Sequence, residues 1–457
     1  MSENSLRTLL DQEEVTISET AKTALTLSLP SILAQITSIM MQYIDAAMVG
    51  SLGAEASASI GLVSSSTWLV GGLLSAAAAG FSVQCAHAVG AGDNTRAKSL
   101  FRQGLTVTFL FSLCLSIFAL LISGPYTRWL GAEENIVQGG CTYLRIQAAF
   151  LVSYQLLFYF EQMLQRAGDM KTPGILMALM CLEDVVFNFL LIFPTRTVKG
   201  FVIYGAGLGV AGASLGTALS ILVTCILTAI ACRKYFGSLR GTLHLEKEVM
   251  QEALRISVPM ALEQAALSGA QIVQTKIVSP LGTIAIAANS FGVTAESLCY
   301  MPGYGIASAA TTMVGQSMGA KRKDLMKRFA WISTWMGVAI MSAAAVIMYF
   351  LCPYVFAFLT PDKDVQSLGI EVLRIELYAE ALFAASIVAT GALRGAGDTL
   401  IPGILNLISM WCIRIPLAYV LSKSMGLHGV WAAMAVELCV RGILFLIRLA
   451  RGKWIRV

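Results

Sequence analysis

The sequence predicts an all-α integral membrane protein with twelve transmembrane helices in two six-helix bundles. Three features predict it: the composition, a series of long apolar runs and an internal repeat. Of 457 residues, 56% are hydrophobic and 13% are charged, about half the ~25% charged residues of a soluble globular protein. The mean hydropathy is +0.72. Because so few charged side chains cannot cover a surface exposed to water, lipid must be the solvent for most of it.

The apolar runs recur along the whole chain. A bilayer core of ~30 Å takes about 20 residues of α-helix, since lipid offers no partners for unpaired backbone groups. We place the spans at 23–50, 57–88, 101–123, 138–165, 172–193, 206–234, 253–279, 284–317, 327–358, 367–391, 398–422 and 427–449. Several exceed the minimum length, so tilted or protruding helices are expected.

The distribution of Lys and Arg predicts the orientation. With the N-terminus inside, most of the Lys and Arg residues of the loops fall on cytoplasmic segments, and the outer loops hold only Arg128, Arg196, Lys199, Lys363 and Lys423. We therefore expect a multi-pass protein of the cell inner (plasma) membrane with both termini cytoplasmic. This topology accounts for the net charge of +5, and without a basic stripe interleaved with aromatics no nucleic-acid partner is expected.

The two halves of the chain repeat each other at one separation, 229 residues, as from Pro30 to Pro259. The same separation relates Gly90 to Gly319 and AGDMKTPGIL at 167–176 to AGDTLIPGIL at 396–405. Farther on the register slips, because Gly209 matches Gly429, so the first half has a longer loop around 195–204. Six spans per repeat give both copies the same orientation, with a pseudo-two-fold axis along the membrane normal.

The repeat predicts the domain organisation. We expect a cytoplasmic N-terminal segment at 1–22, an N-lobe at 23–236, a cytoplasmic linker at 237–252, a C-lobe at 253–449 and a cytoplasmic C-terminal segment at 450–457. Two such bundles can rock about a shared cleft, which favours a carrier over a channel. No GxxxxGK[ST] phosphate loop occurs, so the chain is not expected to hydrolyse ATP itself.

Ionisable residues inside spans are costly and are therefore candidates for function. On the first span Gln35, Ser38, Gln42 and Asp45 follow one helical stripe. The counterpart of Asp45 in the second repeat is Gln274, a neutral amide, so the coupling carboxylate is expected in the first half. The alternative is that Asp45, close to the end of its span, extends outward to the interface.

A second acid lies on the fifth span, where Asp184 and Asn188 are i, i+4 neighbours, and Thr217 can add a hydroxyl from the sixth span. With Asp45 they form an all-oxygen set of the kind that a hard cation prefers, and two nearby carboxyls can equally hold a proton. We predict a cation or proton site, with Na⁺ or H⁺ as the coupling ion and no other cofactor. The alternative is that these polar groups only join helices.

Six further residues are candidates for substrate binding or for coupling in the C-lobe: Met41, Gln42, Glu263, Gln274, Glu380 and Arg414. Methionine forms adaptable apolar surfaces, Glu263 is a good candidate for a buried acid, and Arg414 can serve as an internal counter-charge. The alternatives are core packing for the methionine and mutual ion pairing for the charged residues.

Several motifs together resemble the multidrug and toxic compound extrusion (MATE) family. They are LPSILAQ with DAAMVGSLG, VGAGD, LQRAGDMKTP and GVAGASLGT, repeated as VPMALEQ, VGQSMGA and ALRGAGDTLIP, with IRIPLAY after them. The resemblance covers about residues 20 to 450. It implies two six-helix lobes in a V and export of cationic or amphipathic compounds in exchange for Na⁺ or H⁺.

The resemblance also implies site residues. In DinF-type members the N-lobe site uses an Asp on span one, an Asn and an Asp on span five and a Thr on span six. Asp45 and Thr217 match, whereas Asp184 and Asn188 stand in exchanged order. Glu263 resembles the span-seven acid of NorM-type members, whose span-ten acid falls at Phe383 here, one turn from Glu380. The sequence is thus mixed between subgroups.

We therefore expect a secondary antiporter that exports small organic cations or amphipathic compounds by alternating access, as a functional monomer among membrane lipids. The main alternative is a lipid-linked saccharide flippase of the same superfamily, which needs several cationic residues to hold a pyrophosphate. Only Lys276 and Arg414 are placed for such a cleft. A membrane-embedded enzyme would need a clustered catalytic set, which is not visible.

Overall fold

The computed structural model describes residues 2–129, 134–198 and 201–455, and most of them are helical. Residue 1 of the predicted N-terminal segment and residues 456–457 of the predicted C-terminal segment lie outside the described residues. The first half contains α1 (Ser2–Asp11), α2 (Ile17–Gly50), α3 (Ala54–Gly90), α4 (Asn94–Trp129), α5 (Glu134–Ala149), α6 (Leu151–Arg166), α7 (Lys171–Ile192), β1 (Pro194–Val198), β2 (Phe201–Ala206) and α8 (Gly209–Phe236).

The second half follows the same order of helices. It contains α9 (Lys247–Val278), a 3₁₀ turn (Ser279–Leu281), α10 (Thr283–Gly319), α11 (Lys323–Leu359), α12 (Lys363–Leu377), α13 (Glu380–Gly395), α14 (Leu400–Ile408), a π-helical turn (Ser409–Arg414), α15 (Ile415–Met425) and α16 (Leu427–Ala450). The π-helical turn directly precedes Pro416, whose ring removes a backbone donor and disturbs the regular helical ladder.

Each predicted span corresponds to one helix or to consecutive helices. Two spans are interrupted, the fourth at Phe150 and the tenth at Tyr378 and Ala379, and Phe150 and Ala379 are corresponding positions of the repeat. Among the described residues, eight helical stretches are long and apolar enough to cross a membrane by themselves. The helices of the two interrupted spans fall short in length, at 15 or 16 residues each.

The chain forms two compact units. One contains residues 37–85 and 94–257, and the other contains residues 1–36, 86–93 and 258–457. The predicted lobes at 23–236 and 253–449 stay predictions.

An aromatic cluster forms part of the core of the first unit. Phe101 of α4 stacks on Phe236 of α8, with ring centroids 4.5 Å apart, and on Phe160 of α6. The Tyr159 hydroxyl donates a hydrogen bond of 2.6 Å to the Phe101 carbonyl. Aromatic pairs stabilise a core beyond their buried area and have a preferred geometry. This cluster therefore holds α4, α6 and α8 together.

The core of the second unit packs α10–α13, α15 and α16 against one another. Its largest member is Trp431, which is buried and donates a hydrogen bond of 3.0 Å from Nε1 to Asn289 Oδ1. Gly292 leaves room for the indole, since a Cβ there would lie 2.7 Å from the ring. The tryptophan thus fixes α16 on α10.

Two connecting segments have more structure than the sequence predicts. The longer loop expected around 195–204 is part of an antiparallel pair in which β1 and β2 align Pro194 with Ala206. In the N-terminal segment, for which no secondary structure was predicted, residues 2–11 form helix α1. Arg322, just before α11, donates to the carbonyls of Leu10 and Gln12, so this segment is anchored to the second half.

Candidate cation-binding site

Three predicted polar residues of the first half meet in one cluster. Asn188 Nδ2 of α7 donates to Asp45 Oδ1 of α2 at 2.8 Å and to Asp184 Oδ2 at 2.9 Å. The two carboxyl groups, which both accept from this one nitrogen, also interact electrostatically with each other. A single neutral amide therefore bridges two acids that come from different helices.

The cluster lies where α2 packs on α7 and α8. One helical turn from these polar residues, a small apolar core of Val49, Ile192 and Ala213 holds the three helices together. Asp184 and Asn188 are fully buried, and Asp45 is half-buried. Two like charges at this depth repel each other, so a bound proton or cation would stabilise the pair.

Helix α8 closes the cluster with hydroxyl groups. Ser220 Oγ donates to Asp184 Oδ1 at 3.3 Å. The predicted Thr217 faces Asp184 as well, although its hydroxyl also donates to the Ala213 carbonyl at 3.2 Å. The sequence analysis missed Ser220, and its position three residues after Thr217, on the same helical face, is the signal that could have identified it.

The fourth span supplies further polar neighbours that the sequence analysis missed. Tyr143 of α5 and Tyr154 of α6 interact electrostatically with both acids, and Gln147 lies on the same helix as Tyr143, one turn farther on. Phenol and amide groups give little signal in an apolar run, because they are common in packed interiors. They extend the site beyond the four predicted residues.

Glycine residues on α8 allow its close approach to α7. A Cβ at Gly216 would lie 2.1 Å from Asn188 Oδ1, and a Cβ at Gly212 would lie 2.5 Å from the Leu191 carbonyl oxygen. The small-residue segment GVAGASLGT therefore serves as a helix-packing surface. It brings the hydroxyls of α8 to Asp184 of α7.

The oxygen atoms of this cluster fit either a proton or a small hard cation. Asn188 Oδ1 is buried and has no hydrogen-bond partner among the described residues, while its Nδ2 contacts both carboxyls. Rotation of the amide would exchange the two atoms and direct an oxygen to the carboxyls. Carboxylate, amide and hydroxyl oxygens are the ligands of hard cations, and a carboxyl pair can share a proton.

The predicted substrate residues of the first and seventh spans have different surroundings. The Met41 side chain is buried, whereas Gln42 is exposed. Gln274, the counterpart of Asp45, is half-buried on α9. None of these three residues takes part in the hydrogen bonds that join Asp45, Asp184 and Asn188 in the described part of the chain.

Glu263 of α9 carries an ion pair. Its Oε2 lies 2.8 Å from Arg394 Nη2, and its Oε1 accepts a hydrogen bond of 2.5 Å from Asn406 Nδ2. Glu263 is 5% exposed. Arg394 lies beyond the predicted end of the tenth span at residue 391, but in the structure it belongs to the last turn of α13. The charge of Glu263 is therefore compensated by a cation of the protein itself.

Arg414 contacts a different acid of the second half. Its Nε lies 3.4 Å from Glu437 Oε2, and Glu437 also pairs with Arg441 at 3.0 Å and accepts a hydrogen bond from Ser409 at 2.5 Å. The predicted counter-charge role of Arg414 thus has a partner on α16. Glu380, the remaining predicted acid, is fully buried.

Comparison with known families decides the identity. The family model described as MatE matches residues 30–190 and 259–420, once in each repeat and over more than half of the chain. The chain belongs to the MatE family. Among the curated relatives of this MATE transporter, a probable multidrug resistance protein NorM of Thermotoga maritima is 29% identical and covers 97% of the chain and 95% of the relative. YoeA of Bacillus subtilis, also called a probable multidrug resistance protein, is 25% identical over 79% of each protein.

Solved structures confirm the fold. A crystal structure of a MATE protein in complex with MaL6 superposes with a TM-score of 0.88 at 21% identity, covering 99% of each chain. A MOP superfamily transporter from Pyrococcus furiosus gives a TM-score of 0.88 at 20% identity, covering 99% of this chain and 98% of the other. The predicted class, an all-α transporter with twelve transmembrane spans and not an enzyme, is confirmed.

Proposed function

We propose that this MATE transporter is a secondary antiporter that exports small organic cations or amphipathic compounds in exchange for H⁺ or Na⁺. The observation that carries the proposal is the pair of acids, Asp45 and Asp184, bridged by the neutral amide of Asn188. The relatives named multidrug resistance proteins support the substrate class. We further propose that it acts as a monomer in the inner membrane, with both termini cytoplasmic.

The coupling follows from the charge of the acid pair. When a proton or cation binds, the repulsion between Asp45 and Asp184 disappears and α2 can stay on α7. When the ion leaves, the repulsion favours separation of the two helices. Antiport requires that the ion and the substrate bind the alternating states unequally, and this change on α2 provides such a difference. Pro30 inside α2 weakens the helix ladder and allows it to bend.

The alternative of a lipid-linked saccharide flippase receives less support. A pyrophosphate would need free cationic side chains. Arg414, one of the two cations placed for this role, pairs with Glu437 and is 8% exposed. An arginine engaged in this way is not available to an anionic substrate.

The test is dye efflux from liposomes that contain the purified protein, driven separately by an imposed pH gradient and by an imposed Na⁺ gradient. We expect Asp45→Asn to lose ion-driven efflux to the background level while its abundance in the membrane stays unchanged. Glu55→Gln, which neutralises an exposed acid at the start of α3, is the matched control and should transport normally. Normal efflux by Asp45→Asn would refute the assignment, and the gradient that drives the wild type identifies the ion.

A further inference from the structure

The part of the predicted linker that joins α8 to α9 lies along the beginning of α4. In this connecting segment, residues 237–246, the Arg240 carbonyl accepts a hydrogen bond of 3.2 Å from Arg102 Nε. The Thr242 N–H donates to Thr106 Oγ1 at 2.9 Å, one turn farther along α4. The connecting segment therefore first runs toward the apolar part of α4.

The connecting segment then returns to the first turns of α4. The Glu246 N–H donates to Gln103 Oε1 at 2.9 Å, and the Glu246 carboxylate accepts a hydrogen bond from Ser99 and pairs with Arg96. Residues 243–245 thus form the tip of a loop whose two sides are both bonded to α4.

The tip of this loop lies at the boundary of the membrane. Helices α4 and α8 are each long and apolar enough to cross a membrane, and the stacking of Phe101 on Phe236 brings the end of α8 level with the start of the apolar run of α4. Thr106 lies five residues beyond Phe101, about 7.5 Å along the helix axis. Phe109, less than one turn farther, is exposed and must be covered by lipid. Residues 243–245 therefore lie where the headgroups meet the acyl chains.

Two leucines at this tip project away from the protein. Leu243 is 91% exposed and Leu245 is 40% exposed, while the hydrogen bonds of Thr242 and Glu246 hold the backbone on either side. Apolar surface gains free energy when it leaves water for an apolar medium. At this depth the acyl chains of the bilayer supply that medium, so the two leucines are placed to insert among them.

The surface around the tip is strongly basic. Residues 94–106 and 233–248 contain two acids, Glu246 and Glu248, but seven basic residues, which are Arg96, Lys98, Arg102, Arg233, Lys234, Arg240 and Lys247. In the described part of the chain, only Arg96 among these seven forms an ion pair. The residues nearest to the tip and to the end of α8 are exposed, namely Arg102, Arg233, Lys234 and Arg240. A membrane that contains anionic lipids attracts such a cluster.

We propose that the connecting segment and the adjoining basic residues bind anionic phospholipids of the membrane. The two leucines insert at the acyl boundary, and the exposed guanidinium and ammonium groups contact the lipid phosphates. Amphipathic segments bind at the membrane interface by this combination of apolar insertion and basic attraction. The proposal depends on α4 and α8 crossing the membrane and not on the exchange of ions proposed above.

A lipid surface fits this site better than a soluble protein partner. The exposed leucines lie beside α4 at a depth that headgroups occupy, and a soluble partner would have to displace those headgroups to reach Leu243. Basic side chains attract anionic headgroups through charge, so the lipid needs no preformed pocket.

Hydrogen exchange of residues 237–246 in the purified full-length protein tests the proposal. The protein is placed in lipid nanodiscs of phosphatidylcholine alone and of phosphatidylcholine mixed with phosphatidylglycerol, at one pH. We expect the wild type to exchange more slowly in the mixed lipid by at least about fivefold, the effect of one basic side chain near an anionic surface. High salt should remove this difference. Equal exchange in the two lipids would overturn the proposal and leave the segment open to a soluble partner.

Variants separate the contribution of charge from that of apolar insertion. The double variant Arg233→Gln with Arg240→Gln should lose most of the difference between the two lipids. Leu243→Ser should speed exchange in both lipids, after correction for the intrinsic exchange rate. Arg128→Gln removes an exposed charge from the opposite end of α4 and should behave as the wild type does.

The controls also separate this proposal from the first. Asp45→Asn leaves the connecting segment intact and should keep the lipid effect even where it loses efflux. A lipid effect of wild-type size in the double variant would overturn the proposal, because charge would then not be its cause. If the double variant fails to fold, Lys234→Gln decides, with a smaller loss of the same difference expected.

Discussion

The interiors of the two halves differ in how they compensate acids. In the first half, Asp45 and Asp184 contact an amide and hydroxyls, and no Lys or Arg in the described part of the chain forms an ion pair with either of them. In the second half, Glu263 pairs with Arg394 and Glu437 pairs with two arginines. The two repeats therefore share the order of helices but differ in which positions are charged. Asp184 and Asn188, for example, correspond to the apolar Ile413 and Leu417.

This difference has a functional consequence. A diffusible cation adds little stabilisation to an acid that already contacts a guanidinium group. An acid pair that has no such partner gains the whole electrostatic stabilisation when a cation binds. We therefore expect an exchangeable ion to have its largest effect in the first half.

The shared scaffold can be disrupted where the two halves are the same. A Cβ at Gly90 would lie 2.0 Å from the Gln316 carbonyl oxygen, and a Cβ at the corresponding Gly319 would lie 1.9 Å from the His87 carbonyl oxygen. Because backbone cannot move aside as a side chain can, we expect Gly90→Ala and Gly319→Ala each to destabilise the protein by about 3 kcal/mol. The measurement is the melting temperature of the purified protein in detergent.

A matched control is Gly71→Ala, also within a helix, where a Cβ would meet nothing within 4 Å. Alanine there should be neutral or stabilise by about 0.5–1 kcal/mol, because it reduces the freedom of the unfolded chain. Equal losses at positions 90 and 319 would support the symmetric scaffold. A large loss at only one of them would contradict it.

The contrast between the sites can be sharpened at Gly216. Its counterpart in the second repeat is Val436, which is 47% exposed, so the close approach at this position belongs to the first half. Gly216→Ala should displace the Asn188 amide, cost about 1–3 kcal/mol and reduce ion-driven efflux. Val436→Ala should change neither the melting temperature nor the efflux. Unchanged efflux in Gly216→Ala would show that the position of the amide is not critical.

Much of the fold could be predicted from the sequence, because an apolar run in lipid must be helical. The helix ends were less predictable, since α2 begins at Ile17 and α4 continues to Trp129, beyond the apolar parts of the runs. The break at Phe150 had no signal, because neither Pro nor Gly is present in the neighbouring sequence AAFLVS.

The candidate site was predictable only in part. Asp45, Asp184 and Asn188 could be identified because polar groups inside an apolar run are costly and therefore conspicuous in the sequence. Ser220 was missed because a serine hydroxyl can also satisfy itself on the preceding turn, as Ser220 does at the Thr217 carbonyl, so only its spacing from Thr217 points to the site. The pairing of Arg394 with Glu263 depends on the contact between distant helices, which local sequence does not encode.

We expect the smallest effect from a substitution in the linker between the repeats, a segment that has no counterpart within either half. Glu246 accepts hydrogen bonds from Arg96, Gln103 and Ser99 of α4, and the bond from Arg96 lowers the pKa of Glu246 below its ordinary value. A lowered pKa means that this contact stabilises the linker above the ordinary carboxyl pKa, about 4.3, and that the stabilisation disappears as the pH falls through the lowered value.

At neutral pH, Glu246→Gln should therefore speed hydrogen exchange in residues 237–246. After correction for the intrinsic exchange rate, the difference from wild type should shrink in acid. Glu252→Gln, whose partner Arg255 lies on the same helix, should leave this segment unchanged. Because the contact is exposed to solvent and screened by salt, a constant difference at all pH values would mean that shape rather than charge holds the linker on the first half.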